Sequence, residues 1–319
     1  MVRLAQWASS ENYDRWGVPG DQRMDPAKGK ADATFDGEVD IVNWQPNKWE
    51  RVFRLIDVTK AELLANKAEA AARNPHNGYS WDDATTPTSF YNALKAAGWD
   101  PAAITTDNNA NCSSGIAALL NAVGIPVDPN MWTGTAVNIL KATSEVLIIE
   151  ESVFTATSHY LRRGDILHKA GHMATVIDNG DYAAALPSVT TGRSWQRMKP
   201  AILSQGLNII ERGESVAAFL PVIGGKWQIT EYRGRRGWES GKWFRPLPYA
   251  LVTAYLCNIR EDPGLAGRVL KTVGTGTQLP LTGRKREDTR GVLWLECGCD
   301  SVIGWISELM CEIVKEGEQ

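Results

Sequence analysis

Cys112 and four histidines, His76, His159, His168 and His172, are the residues of this chain whose types and spacing could make a nucleophile and a base. Cys112 lies just after Asn111, which can cap a helix. Ile116, Leu119, Leu120 and Val123 then repeat at the i, i+3, i+4, i+7 spacing of one helical face, and Gly124 and Pro126 stop it. A cysteine in the first turn of a helix meets free backbone N–H groups and the positive end of the dipole, both of which favour the reactive thiolate. Its neighbours Ser113, Ser114 and Gly115 are small or polar, which argues against simple core packing. His76 sits in a turn and His159 precedes an Arg-Arg pair, so both are expected at the surface. His172 opens an apolar run directly after Gly171 and is the best-placed base.

The elements that must position these residues follow from pattern and punctuation. Strands are expected at 38–44 and 51–56. A helix capped by Thr59 and Glu62 should run to Pro75, and another should cover 88–97, stopped by Gly98. A further helix is expected over 135–142. Short strands at 166–168 and 172–177 come next. Asp178-Asn179-Gly180-Asp181 then reads as a hairpin turn that would set His172 opposite Pro187. Helices first and antiparallel strands second predict an α+β class. Residues 188–250 carry no legible fold and stand as a linker or a small additional β region. Within them, 226–245 interleaves Trp227, Tyr232, Trp238 and Trp243 with Arg233, Arg235, Arg236 and Lys242, which suggests hairpins with solvated cations. Residues 251–314 alternate short strands with Gly, Pro and Asp turns, as a small β-barrel does.

Composition narrows the classes. With 319 residues, 43% hydrophobic and 22% charged, the chain is of globular type and long enough for about two domains. A net charge of −3 gives no global attraction to nucleic acid. No apolar run reaches the ~18 residues of a membrane span, and no secretory signal is legible. Five cysteines, four of them in the last quarter (Cys257, Cys297, Cys299 and Cys311), make no disulfide framework and no CxxC zinc site. Cys297, Cys299 and Cys311 read as small core residues.

Several motifs then resemble known families. Asn111-Cys112-Ser113-Ser114 before an apolar helix resembles the Asp-Cys-Ser-Ser or Asp-Cys-Ser-Gly motif of NlpC/P60 cell-wall peptidases. Leu161-Arg162-Arg163-Gly164-Asp165-Ile166-Leu167-His168 and Gly171-His172-Met173-Ala174-Thr175-Val176-Ile177-Asp178-Asn179-Gly180 are similar to that family's Gly-Asp segment and histidine strand. Asn74-Pro75-His76-Asn77-Gly78-Tyr79 resembles the opening of such domains in bacteriophage lysins, and Pro19-Gly20-Asp21-Gln22 and the 43–54 stretch resemble lysin N-termini. CHAP amidases share the arrangement. Val252-Thr253-Ala254-Tyr255-Leu256-Cys257-Asn258-Ile259-Arg260 together with Gly304-Trp305-Ile306-Ser307 resembles a bacterial SH3 (SH3b) domain.

The resemblance implies a papain-like NlpC/P60 catalytic domain over 1–187, with its core at about 60–185, and an SH3b-like wall-binding domain over 251–319. It implies peptidoglycan hydrolysis by Cys112 as nucleophile and His172 as base, with Tyr79 and Ser113 lining the site or serving the oxyanion. No metal or organic cofactor is expected. Peptidoglycan is the expected partner, with no nucleic acid or membrane, and the chain is expected as a monomer. A lysin of this kind is made in the cytoplasm and acts at the wall. A CHAP-like N-acetylmuramoyl-L-alanine amidase and a non-catalytic wall-binding protein are the alternatives. Two departures stand out: Asn111 replaces the usual Asp, and the third triad position aligns with Ala184, which cannot orient an imidazole, so the third member is unassigned.

Overall fold

The computed structural model describes residues 2–8, 38–46, 48–79, 86–181, 186–224, 226–246, 248–299 and 302–314. The chain divides into two compact units, Met1–Asp181 and Tyr182–Gln319. The first holds strands β1 (Arg3–Ala8), β2 (Glu38–Asn43), β3 (Arg51–Leu55), β4 (Asn77–Tyr79), β5 (Asn108–Ala110), β6 (Val146–Ile149), β7 (Ile166–Lys169) and β8 (His172–Val176). Its helices are α1 (Val58–Arg73), α2 (Thr86–Ala96), α3 (Cys112–Ala122) and α4 (Thr133–Thr143). The eight strands form one sheet in the order β5-β4-β2-β1-β8-β7-β3-β6, antiparallel except for the parallel β4–β5 pair. The class is mixed α and β, but the order differs from helices-then-strands. Three strands precede α1, and β1 and β3 then take interior places in the sheet.

One sheet face packs under the helices. Ala5, Trp7, Val39, Ile41, Phe53, Leu55 and Met173 join Leu64, Phe90, Leu94, Ile116 and Leu119 in a single buried cluster. Trp7 lies so close to α3 that a Cβ on Gly115 would stand 2.5 Å from its ring, so the glycine is what lets the helix seat on β1. Helix α1 is capped by Asp57, whose carboxylate accepts from the Lys60 N–H at 2.9 Å, and not by Thr59, which falls inside the first turn. Gly98 and Gly124 adopt left-handed backbone just past α2 and α3, as expected of helix stops.

The Gly164-Asp165 pair of the family-like segment has a structural reason for each residue. Gly164 has φ +85, and a Cβ there would stand 2.2 Å from the Ala61 carbonyl of α1. Gly164→Ala is therefore expected to cost roughly 2–4 kcal/mol from strain and overlap, measurable as a lowered denaturation midpoint. Asp165, fully buried, binds Arg54 of β3.

The expected hairpin at 178–181 is not formed. Asp178 turns back to β1, accepting from the Arg3 backbone at 2.9 Å and from its Nε at 2.8 Å. Gly180 donates to the Leu161 carbonyl, and its Cα packs against the Ser158 and His159 carbonyls. Asp181 meets His159 at 2.9 Å. β8 pairs with β7 and β1, so His172 lies opposite Lys169, not Pro187. Ala184 and the 19–22 motif lie outside the described residues.

In the second unit the stretch left without a fold is a seven-stranded antiparallel sheet. It comprises β9 (Leu186–Thr190), β10 (Ser194–Arg197), β11 (Gly206–Ile210), β12 (Ser215–Ile223), β13 (Trp227–Tyr232), β14 (Arg235–Ser240) and β15 (Phe244–Pro246), ordered β11-β10-β14-β13-β12-β9-β15. β13 and β14 form the hairpin expected in 226–245. Arg233 and Arg235 are exposed, but Arg236 and Trp238 are buried. A further seven-stranded antiparallel sheet follows: β16 (Tyr249–Val252), β17 (Leu256–Arg260), β18 (Val269–Gly274), β19 (Gln278–Glu287), β20 (Leu293–Cys299), β21 (Val302–Ser307) and β22 (Cys311–Val314). Cys257, Cys297 and Cys299 are buried in its apolar cluster, and Cys311 packs against it. Among the described residues no helix is long and apolar enough to cross a membrane.

Candidate active site

The site is built at the first residue of α3. Asn111 has extended backbone, and its side-chain oxygen accepts from the Ser113 and Ser114 N–H groups at 3.1 and 2.9 Å. Ser114 Oγ in turn accepts from the Asn111 N–H at 3.0 Å. This reciprocal cap holds Cys112 at the helix start with no added charge. Immediately upstream, β5 pairs in parallel with β4, and Tyr79 stands in register with Ala110. Tyr79 and Cys112 share the buried cluster. Ser113 is buried, and its hydroxyl donates to the same Asn111 oxygen at 3.0 Å, so both its amide and its hydroxyl are engaged by the cap.

The Cys112 thiol meets the head of β8. Its Sγ lies 3.9 Å from the Gly171 carbonyl oxygen. The N–H groups of Met173, Ser113 and Cys112 itself also face the sulfur and favour its thiolate. Contacts to residues 171 and 173 flank the backbone of His172. Among the described residues, the thiol and the imidazole share no direct hydrogen bond. Cys112 is 2% exposed, and desolvation outweighs the donors: burial pushes the thiol above its ordinary pKa. The N–H groups at the helix start favour the thiolate as expected, but removing a charge from water costs more here than they return.

His172 is half-buried at the start of β8. Burial, reinforced by the nearby Lys169 charge, pulls its pKa down to about 4, so the ring is neutral at physiological pH. Two neighbours that the sequence reading did not single out hold it. Gln6 of β1 places Oε1 2.8 Å from His172 Nε2. Trp49 stacks on the ring at 5.7 Å and 30°, fixed by its own Nε1–H donated to the Gln45 carbonyl and covered by the Lys169 ammonium at 5.5 Å. Extended by one residue, the β1–β8 register of Leu4 opposite Val176 and Ala5 opposite Thr175 sets Gln6 opposite Ala174, with His172 its diagonal neighbour on the sheet face away from Ala5 and Met173.

The remaining histidines serve the fold. His168 is buried between the Thr133 carbonyl, 2.9 Å from Nε2, and Arg51, 3.1 Å from Nδ1. His76 meets Asp107 at 2.7 Å at the surface. Among the described residues no group of three or more His, Cys, Asp or Glu side chains could hold a metal ion.

Residues 24–183, half of the chain, match the model of a family described as the endolysin-like domain. Among solved structures, NlpC2 of Trichomonas vaginalis aligns at 11% identity and a TM-score of 0.21 over 41% of this chain and 49% of that one. NlpC1 of the same organism aligns at 11% and 0.21 over 40% and 46%. Ly7917 aligns at 17% and 0.15 over 42% and 59%. The chain thus spans about half the length of the NlpC structures it matches. A comparison with curated proteins returns no match. On the half-chain family match, the chain belongs to the endolysin-like domain family.

Proposed function

We propose that this protein hydrolyses an amide bond of peptidoglycan through a Cys112–His172 acyl-enzyme mechanism. The observation that supports the reading is the contact of a helix-start thiol with the Gly171 carbonyl and the Met173 N–H, the backbone on either side of His172. The neutral imidazole accepts the thiol proton as Sγ bonds to the substrate carbonyl carbon. The backbone N–H groups of Cys112 and Met173, which face the sulfur, are the donors available to the developing oxyanion. Collapse breaks the C–N bond, and the imidazolium returns its proton to the leaving amine. Water, activated by the same ring, then hydrolyses the thioester. Tyr79 and Ser113 line the entry to the helix start. The bond from D-γ-glutamyl to the diamino acid of the stem peptide is the favoured target, and an amidase cut next to muramic acid is the neighbouring option. The C-terminal sheet of 249–314 tethers the enzyme to the wall as an SH3b-like module, and the lysin reading places its action at the wall after synthesis in the cytoplasm.

The test is clearance of purified cell walls with mass spectrometry of the released fragments. Cys112→Ala and His172→Ala are each expected to lower the rate at least about 1,000-fold while leaving the melting temperature near wild type. If Cys112→Ala clears walls as fast as wild type, the enzyme reading fails and a wall-binding protein without turnover takes its place. New amino and carboxyl ends on the fragments name the bond.

A further inference from the structure

We infer that Gln6 is the positioning residue of the His172 base: its side-chain oxygen fixes the imidazole as the Nε2–H tautomer and leaves Nδ1 as the proton acceptor. The inference rests on the Cys112–His172 reading for its catalytic consequence, but not for the tautomer itself.

The chemistry follows from the 2.8 Å contact between Gln6 Oε1 and His172 Nε2. An amide oxygen has only lone pairs to offer, so the proton of this bond must sit on Nε2. A neutral imidazole carries one N–H, and Nδ1 is therefore unprotonated. A ring tied at one nitrogen could still swing about its Cα–Cβ and Cβ–Cγ bonds. Here Trp49 stacks on its face at 5.7 Å, and the Lys169 ammonium lies 5.5 Å from the centre of that indole. Gln6, a long side chain, spans the diagonal of the β1–β8 pair, and β1 is held on its other edge by six consecutive pairs with β2. The orienting group is thus mounted on an interior strand 166 residues away in sequence, and not on the strand that follows the histidine.

The orienter is also uncharged, which matters for the groups around the ring. Lys169 of β7 is the cation that acts on it. The Cys112 thiol is neutral and buried. Asp40 is the cross-strand partner of Gln6 in β2, and Glu50 accepts from the Ala170 N–H at 3.1 Å, next to the turn before His172. A carboxylate at position 6 would keep the acceptor oxygen and add a negative charge at hydrogen-bond distance, which favours imidazolium. Gln6→Glu and Gln6→Ala therefore separate orientation from charge.

The experiment uses the full chain, with ¹⁵N spectra of the histidine rings, wall-clearance kinetics over pH, and melting curves as a check on folding. In wild type the His172 ring is expected as a single Nε2–H tautomer. Gln6→Ala should give a tautomer mixture and a roughly 10- to 100-fold lower rate at saturating wall, with little change in the half-saturating wall concentration. Gln6→Glu should retain the Nε2–H tautomer and raise the acid limb of the rate profile by about one pH unit or more. A folded Gln6→Ala protein with the wild-type tautomer and rate would overturn the assignment, as would a Gln6→Glu limb that does not move. If the spectra behave as stated but wild type clears no wall, the positioning holds and the hydrolase reading is what falls.

Discussion

Asp165→Ala is expected to destabilise the first unit by about 3–5 kcal/mol, read from chemical denaturation. Arg54 and Asp165 are 1% and 0% exposed. The carboxylate takes Arg54 Nε at 2.8 Å and Nη2 at 2.6 Å, and it also accepts from the Arg162 N–H at 2.8 Å. The guanidinium donates further to the Tyr160 carbonyl at 2.8 Å and lies over the Phe154 ring at 5.5 Å. Deleting the carboxylate strands a cation in a fully buried site, and leaves the Arg162 amide without its acceptor. Replacing both partners by apolar residues, as in Arg54→Met with Asp165→Leu, should cost far less than the sum of the single changes. Additive losses in that cycle would show the pair to be independent, against the geometry. This pair joins β3 to the turn before β7, so its loss should also loosen the strand that presents His172 through β7.

The second large effect concerns reactivity. Alkylation of Cys112 by iodoacetamide is expected to quicken about 100-fold between pH 6 and pH 8, roughly tenfold per pH unit, with no plateau in between. Burial holds the thiol above its usual value and holds His172 at about 4, so over this range the resting pair is thiol and neutral imidazole. A thiolate–imidazolium pair would instead react at a flat rate across neutrality, and a plateau between pH 5 and 7 would refute the neutral pair. The sign for stability follows as well. The unfolded chain takes up a proton on His172 near pH 6.5 while the folded one resists until about 4, so the stability contributed by the neutral ring falls as pH drops through that window and is intact above it. On the proposed Cys112–His172 mechanism, the acid limb of wall clearance is expected near pH 4, where His172 takes up its proton.

Local signals carried much of this structure. The Phe90/Leu94 and Ile116/Leu119/Leu120 spacing marked α2 and α3, and Asn111 marked the cap that sets Cys112 at a helix start. Where legibility failed, a distant contact had overruled a local one. Asn179-Gly180 has the composition of a tight turn, but Asp178 is taken by Arg3 and Gly180 by the 158–161 segment, so no hairpin closes. Thr59-x-x-Glu62 fits a capping box, but Asp57 two residues earlier has the extended backbone and the free carboxylate. Residues 186–246 lacked clean alternation because strands such as β12, Ser215–Ile223, run apolar along both faces. Family spacing points downstream of His172 for its partner, whereas register between strands some 170 residues apart leaves no mark in either segment, so the Gln6 contact is not legible in sequence.

The interior place of β1 has a consequence for synthesis. The strand at 3–8 can pair with β2 as soon as residues 38–43 have left the ribosome, yet its other edge stays bare until 172–176 emerge. Such late closure of a long-range pair is slow relative to helix formation. Nascent chains shorter than about 180 residues would then carry helix α3 with Cys112 at its start but not the β8 backbone that Cys112 meets, and the sheet would stay open until its first strand is zipped between neighbours made early and late.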